Sequence, residues 1–335
     1  MCSTLTYSNK NEIKLINFNG ETMKKTNVII SLLFLLFCIY SLINIKESNI
    51  STMNTLITFS KTILPALLPF LILNQLLIKL GIIDLLAYFL QFISYPLFKI
   101  SGKGASIIII GLLNGFPSSA IFTSIMLKEN QVDKQEAQRL INCIFFPSIS
   151  FLFAIIKTNL ANNYLFILLI ISLYLTGFLL LYLSSFKVQN NSQFITLKET
   201  INSINLKLSK FVFIKELKET IIYSFNTLIN ILGIIIIFQI PCQILDDIIN
   251  TNNSYLFKGL IEFSMPSIQL SLLDISKKRI TLLLSVILSF SSLSSIMQAN
   301  LFINEVSLNS KQFILNRILS SIISLFILMI FLFFL

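Results

Sequence analysis

Long uncharged apolar runs constrain this chain more than any other feature of its 335 residues. The hydrocarbon core of a bilayer is about 30 Å thick, so a helix needs roughly 20 apolar residues to cross it. Only 12% of the residues are charged, against about 25% in soluble domains, which leaves too little polar surface for a water-exposed fold. We therefore predict an all-α polytopic membrane protein with about eight apolar segments, at residues 27–45, 62–78, 104–127, 140–156, 164–186, 220–245, 280–304 and 318–335.

Two further apolar stretches are too short to cross a bilayer as straight helices. Residues 85–98 lie between Asp84 and Lys99, and residues 259–273 end immediately before Asp274. Segments of this length are typical of re-entrant or interfacial helices. We therefore expect both stretches to lie at the membrane surface or to enter the bilayer only partly.

The lysines predict how the chain is oriented in the membrane. Residues 1–26 form a polar tail with four lysines, and residues 27–45 follow as a predicted first transmembrane helix. No small-residue cleavage site follows this helix, so we interpret it as retained and not as a signal peptide. Residues 187–219 form a polar linker with six lysines and three glutamates. Because cytoplasmic segments are enriched in Lys and Arg, we predict that both the N-terminal tail and the linker are cytoplasmic.

Composition excludes several functions. The chain has no histidine, and its four cysteines stand singly, which rules out Ser-His-Asp and Cys-His triads and argues against metal sites. We therefore predict no enzymatic activity and no cofactor. The net charge of +10 comes from lysines at the ends of apolar runs and in the linker, so the predicted partner is the lipid bilayer and not a nucleic acid.

The apolar run 104–127 is interrupted at its centre. Its middle reads Asn-Gly-Phe-Pro-Ser-Ser over residues 114–119, and a proline in a helix interior removes a hydrogen bond and costs about 3 kcal/mol. Two half-helices that meet at a turn are therefore expected. If the linker is cytoplasmic, the five runs before it must include one that enters and leaves on the same side, and we assign that role to 104–127.

The second half of the chain repeats this pattern. Residues 289–295 contain five serines within an apolar run, and Gln298 follows. Arg139 lies 22 positions after Pro117, and Arg317 lies 24 positions after Leu293. We infer an internal duplication of inverted topology, although the basic residues 277–279 would then lie on the less favoured side of the membrane.

These residues resemble the nucleoside-recognition (Gate) domain family, and most closely its YlbJ-like sporulation integral membrane proteins. The chain departs from the family pattern where a second glycine and a lysine are missing after Pro117, and where Ser291 and Ser292 replace a glycine pair. The resembling stretches are LPALLPFLILNQLL (64–77), YPLFKISGKGA (95–105), GLLNGFPSSA (111–120), EAQRLIN (136–142), IEFS (261–264) and SFSSLSSIMQ (289–298).

The resemblance implies two inverted Gate-type repeats with broken or re-entrant helices, here residues 53–186 and 220–335. It also implies a protein of the bacterial cell membrane that is linked to sporulation and spore cortex formation. Interrupted segments at corresponding places in two halves are typical of a binding site in the middle of the membrane. The candidate substrate-binding residues are Asn114, Gly115, Pro117, Ser118, Ser119, Arg139, Asn142, Glu262, Ser291, Ser294, Gln298 and Arg317.

Each group of candidates has a second interpretation. The serines and amides could line a solute pathway or only allow close helix packing. Arg139 and Arg317 could bind an anionic solute or could snorkel to lipid headgroups. Glu262 could be a proton or cation site or an ordinary interfacial residue.

Two functional hypotheses follow from these features. The first is a permease-like or transport-related protein whose partner is a small polar or anionic solute. The alternative is a non-transporting scaffold that binds envelope or sporulation proteins during envelope or spore-cortex assembly. The sequence predicts no oligomeric state.

Overall fold

The computed structural model describes residues 4–8, 12–16, 22–23, 25–186, 188, 194–249 and 254–334. The chain forms two compact units, Met1–Met53 and Asn54–Leu335. The larger unit contains both predicted breaks and all candidate site residues.

The first unit begins with three short antiparallel strands, β1 (Thr4–Ser8), β2 (Glu12–Ile16) and β3 (Thr22–Met23). The sequence predicted only a polar tail here, but β1 and β2 are rich in the threonine, tyrosine and isoleucine that favour strands. Helix α1 (Lys25–Ile43) follows and coincides with the predicted first transmembrane helix. Its leucines are largely exposed, as expected for a helix in contact with lipid.

The rest of the described chain is mainly helical. Helix α2 (Ile45–Thr58) crosses the boundary between the units and continues through a π-helical turn (Phe59–Ile63). A second π-helical turn, Leu152–Lys157, joins α8 to α9. The remaining helices are α3 (Leu64–Lys79), α4 (Ile82–Phe98), α5 (Gly102–Asn114), α6 (Ser118–Lys128), α7 (Lys134–Cys143), α8 (Ile149–Phe151), α9 (Thr158–Leu160), α10 (Asn163–Ser185), α11 (Leu197–Lys210), α12 (Phe213–Ile248), α13 (Ser254–Ile261), α14 (Ser264–Leu272), α15 (Lys277–Phe290), α16 (Leu293–Glu305) and α17 (Ser310–Phe333).

Five stretches of the described residues are long and apolar enough to cross a membrane. A sixth is obtained if α4 and α5, which are bent by 101° relative to each other, count as one broken span. The helical, polytopic fold of the apolar segments is thus confirmed, whereas the three strands of the first unit depart from the all-α prediction. The five stretches are Ile45–Lys79, Asn163–Ser185, Phe213–Ile248, Lys277–Glu305 and Ser310–Phe333.

Three of the eight predicted segments are not continuous helices, and one of them, the run 280–304, breaks as predicted at Ser291 and Ser292 between α15 and α16. The run 104–127 breaks between α5 and α6, as predicted, but the 101° bend lies upstream of it, between α4 and α5. The run 140–156 was predicted as an ordinary span, which is wrong because α7 ends at Cys143 and the chain is not helical again until Ile149. Pro147 lies in this gap, and the residue before a proline disfavours helix.

Both predicted breaks contain residues in the left-handed backbone region. Gly115 has φ 68°, and a Cβ atom there would lie 2.3 Å from the backbone nitrogen of Ser148, so only glycine fits this close approach. Ser291 and Ser292 have φ 75° and 62°. The two serines therefore hold a conformation that glycine adopts more easily, at the positions where the resembling family has a glycine pair.

Corresponding helices of the two halves pack against each other. Helix α3 contacts α12, and α6 contacts α16, so the helices that follow the two breaks meet. Helix α10 packs against both α15 and α17. This pairing accords with the inferred duplication, whereas the inverted direction of the halves and the repeat boundaries remain predictions.

The predicted linker is mostly helical where it is described. It contains α11, and its last residues, 213–219, already belong to α12. Helix α11 begins with a capping box in which the Thr196 backbone N–H and hydroxyl both donate to Glu199. These hydrogen bonds lower the pKa of Glu199 below its ordinary value. The part of this connection from Leu197 to Lys210 is thus a defined helix.

Candidate functional site

Four helix breaks meet at one cavity in the second unit. Its volume is about 80 Å³, and it is lined by residues 114, 116–118, 147–148, 150, 262–264 and 294–295 together with side chains of α3, α12 and Gln298. A broken membrane helix is tolerated only where protein or a water-filled cavity surrounds the freed backbone groups. The polar residues of the lining are Asn74, Asn114, Ser118, Ser148, Ser150, Thr227, Glu262, Ser264, Ser294, Ser295 and Gln298.

The first break presents a side-chain amide to the cavity. The Asn74 Nδ2 atom, on α3, donates to Asn114 Oδ1 over 2.7 Å. The Phe116 backbone N–H donates to the Phe146 carbonyl over 2.9 Å, which joins the first break to the chain after α7. The Phe116 ring lies 4.8 Å from the Phe263 ring, measured between centroids. The amides thus lie in a cavity wall that also contains aromatic rings and the aliphatic side chains of α3 and α12.

The break between α13 and α14 presents a carboxylate. Glu262 is 2% exposed, and it accepts hydrogen bonds from the Ser264 backbone N–H at 2.9 Å, the Ser264 hydroxyl at 2.7 Å and the Met265 backbone N–H at 3.0 Å. The N-terminus of a helix stabilises a negative charge, so α14 holds Glu262 in place. Among the described residues that line the cavity, Glu262 is the single ionisable side chain.

Serines form the second break. The Ser292 and Ser294 hydroxyl oxygens lie 2.9 Å apart, and the Ser292 hydroxyl accepts the Ser295 backbone N–H at the start of α16. Gln298 Nε2 donates to the Ser294 carbonyl over 3.2 Å. Ser291 lies behind the cavity wall and donates to the Phe145 carbonyl over 3.4 Å. The break therefore exposes one turn of α16, from Ser294 to Gln298, to the cavity.

The two arginines cap helix ends and do not line the cavity. Arg139 is 7% exposed and donates to the carbonyls of Phe98 and Lys99, where α4 ends. Arg317 is 1% exposed and donates to the carbonyls of Asn142 and Phe145, where α7 ends. The interpretation that these arginines snorkel to headgroups is wrong, because the last carbonyls of a broken helix provide nearer partners.

Half of the predicted site residues come together at the cavity. They are Asn114, Pro117, Ser118, Glu262, Ser294 and Gln298. Gly115 forms the turn beside them, and Ser119 and Ser291 are buried behind the lining. Asn142 is separate from the cavity and accepts a hydrogen bond from Gln138 Nε2 at 2.9 Å. Arg139 and Arg317 are the helix caps described above.

Sequence reasoning missed several lining residues. Ser148 and Ser150 lie in a run that was predicted as an ordinary span, although Pro147 indicated a break there. Ser264 adjoins Glu262, and Ser295 belongs to the recognised serine stretch. Thr227 and Asn74 carried no distinguishing signal, because single polar residues are ordinary in membrane helices.

The chain is similar to the sporulation integral membrane protein YlbJ of Bacillus subtilis (strain 168). The two sequences are 24% identical over 332 residues, which covers 90% of this chain and 81% of that protein. No family model matches the chain, and no solved structure matches it. The YlbJ-like resemblance and the assignment as a multi-pass membrane protein are thus confirmed.

Proposed function

We propose that this chain is a permease-like membrane protein that binds a small polar solute in its central cavity during sporulation. The convergence of helix breaks from both halves on one largely apolar cavity that holds a few polar groups carries this proposal. Broken helices supply backbone groups and side chains as ligands in the middle of the membrane, and this is how many secondary transporters bind their substrates. The sporulation link comes from the name of the relative YlbJ.

The lining favours an uncharged or cationic solute over an anionic one. The amides of Asn74, Asn114 and Gln298 provide donors and acceptors without charge, and Glu262 contributes a carboxylate. Arg139 and Arg317 are engaged with helix ends outside the cavity. An anionic solute would therefore meet the Glu262 carboxylate without a compensating cation among the described lining residues.

Cysteine accessibility tests this proposal. Single cysteines replace Ser118, Ser294 and Gln298 in a background without the four native cysteines, and react with a membrane-impermeant thiol reagent in intact membranes. We expect labelling at all three positions, because a water-filled cavity reaches them. Ser172→Cys is the matched control, since Ser172 is fully buried in α10 and outside the cavity lining, and should stay unlabelled.

Protection by solutes completes the test. Uncharged nucleosides and sugars are added as one panel, and the corresponding phosphorylated compounds as another. We expect at least one uncharged member to slow labelling and the phosphorylated compounds to have no effect. Three unreactive cavity cysteines, or protection by phosphorylated compounds alone, would contradict the proposal.

A non-transporting scaffold for envelope or spore-cortex assembly is the second candidate. The serines at positions 291 and 292 favour it, because they hold left-handed backbone conformations where the resembling family has glycine. A break stiffened in this way is less able to move during transport. Unreactive cavity cysteines in a protein that still restores sporulation would support the scaffold.

A further inference from the structure

Helix α11 carries an exposed apolar stripe. Leu197, Ile201, Ile204 and Leu208 follow one another at spacings of four, three and four residues, which places them on one face of a helix. Leu197, Ile201 and Leu208 are 49%, 46% and 47% exposed. Since this helix is too short and too polar to cross a bilayer, such a face is suited to lie at the membrane surface.

Helix α4 provides the second part of the same surface. It exposes Leu85, Phe89, Phe92 and Ile93, and it is bent by 101° relative to α5. Helix α5 is largely buried within the protein. If α5 runs along the membrane normal, the 101° bend places α4 close to the membrane plane, where its exposed apolar side chains would face the interface.

Polar contacts fix α11 alongside α4. Lys207 Nζ lies 2.5 Å from Asp84 Oδ2, and the Ser203 hydroxyl donates to the same oxygen over 2.9 Å. Near the start of α11, Gln91 Nε2 donates a hydrogen bond to the Ile195 carbonyl, and Gln91 Oε1 accepts one from the Ile195 backbone N–H, each over 2.8 Å. The two helices therefore form one amphipathic surface, which we call the α4–α11 platform.

The platform also carries positive charge. Lys198 lies in the first turn of α11 and Lys210 in its last, and both are exposed. Neither forms an ion pair with any residue that the structure describes, whereas Lys207 is paired with Asp84. Lys198 flanks the stripe and Lys210 lies at the end of the helix, and lysines at the flank or end of an amphipathic helix at the membrane surface attract anionic headgroups.

We propose that the α4–α11 platform binds anionic phospholipid headgroups at the membrane surface through Lys198 and Lys210. The apolar stripe enters the boundary between headgroups and acyl chains, and the lysines enrich anionic lipid beside it. This surface is separate from the central cavity and is independent of any transported solute.

A single introduced tryptophan can report this interaction, because the native chain contains no tryptophan whose fluorescence would interfere. The full-length variant Ile201→Trp is reconstituted into vesicles of phosphatidylcholine and phosphatidylglycerol in which one lipid or the other carries brominated chains. Bromine atoms quench the fluorescence of a tryptophan only at short range. We expect stronger quenching when phosphatidylglycerol carries the bromine than when an equal amount of phosphatidylcholine does, because anionic lipid is concentrated at the platform.

Two variants control the measurement. Leu175→Trp places the probe at an exposed position of the spanning helix α10 and should be quenched equally by both lipids. Adding Lys198→Gln and Lys210→Gln to Ile201→Trp should remove the difference between the lipids while quenching itself remains. Both lysines are exposed, so these changes leave the packing intact.

Two results would overturn the proposal. Equal quenching by both lipids in the Ile201→Trp protein would mean that the platform inserts without selecting anionic headgroups. Water-like emission without quenching from the tryptophan of this variant would mean that α11 does not reach the membrane. Both results are distinguishable from failure of the transport proposal, which cysteine labelling measures.

Discussion

Single residues decide how the breaks are built. At Gly115 the left-handed backbone and the approach to the Ser148 nitrogen leave no room for a side chain. At Ser291 and Ser292 the same backbone region is occupied by residues that have side chains. Both breaks need a residue with positive φ, but only the first also lacks room for a Cβ atom. The first break therefore depends more strongly on glycine than the second.

Gly115→Ala tests this dependence. The new methyl group would lie 2.3 Å from the Ser148 backbone nitrogen, so we expect the free energy of unfolding to fall by about 2–4 kcal/mol. Gly233→Ala is the control, because a Cβ atom at Gly233 in α12 meets nothing within 4 Å and alanine favours helix by about 1 kcal/mol. Thermal unfolding in detergent measures both, and equal shifts would contradict the steric account.

Helix ends that are buried in the protein need partners for their carbonyl groups. Arg139 provides them at the end of α4, and Arg317 provides them at the end of α7. The Arg317 guanidinium also lies 5.5 Å from the centroid of the Phe145 ring, which adds a cation–π contact. Each arginine thus makes a buried helix end possible, because it pairs backbone carbonyls that water does not reach.

Arg317→Lys tests the capping of α7. A lysine ammonium cannot reproduce the planar guanidinium that bridges the carbonyls of Asn142 and Phe145. We expect a loss of about 1.5–3 kcal/mol in the free energy of unfolding, the range for a hydrogen bond to a charged group. Arg279→Lys, at an exposed position of α15, should change it by less than about 0.5 kcal/mol. Comparable losses in the two variants would argue against a capping role.

The whole molecule is assembled across its two halves. Arg317 of the second half caps α7 of the first, and α10 of the first half packs against α15 and α17 of the second. The cavity is likewise lined by breaks from both halves. Neither half therefore contains all the partners that its buried polar groups need.

Dividing the chain in the linker tests this interdependence. Separate expression of the halves, cut between Phe186 and Phe194, should give products that aggregate or are degraded, because the end of α7 and the Arg317 side chain would each lack a buried partner. Expressed together, the halves should form a complex that an affinity tag on either one recovers. A stable, monodisperse first half on its own would contradict this expectation.

Much of the fold could be predicted from the sequence, and rather less of the site. The apolar runs indicated the spanning helices, and the Gly-Phe-Pro and serine stretches indicated two breaks, because these local patterns conflict with a continuous helix. The capping role of Arg317 was missed because its acceptor carbonyls lie more than 170 positions away in the sequence. The contact between Asn74 and Asn114 depends equally on tertiary packing.

The cap on α7 also bears on how the protein is made. A ribosome adds residues in order, so α7 enters the bilayer when the codon for Arg317 is still far from being read. Until α17 has been synthesised and inserted, the carbonyls of Asn142 and Phe145 must accept hydrogen bonds from water or from the translocon. The nascent chain therefore cannot complete its first half before Arg317 has been synthesised, and termination ahead of that residue would leave the first half unfinished as well.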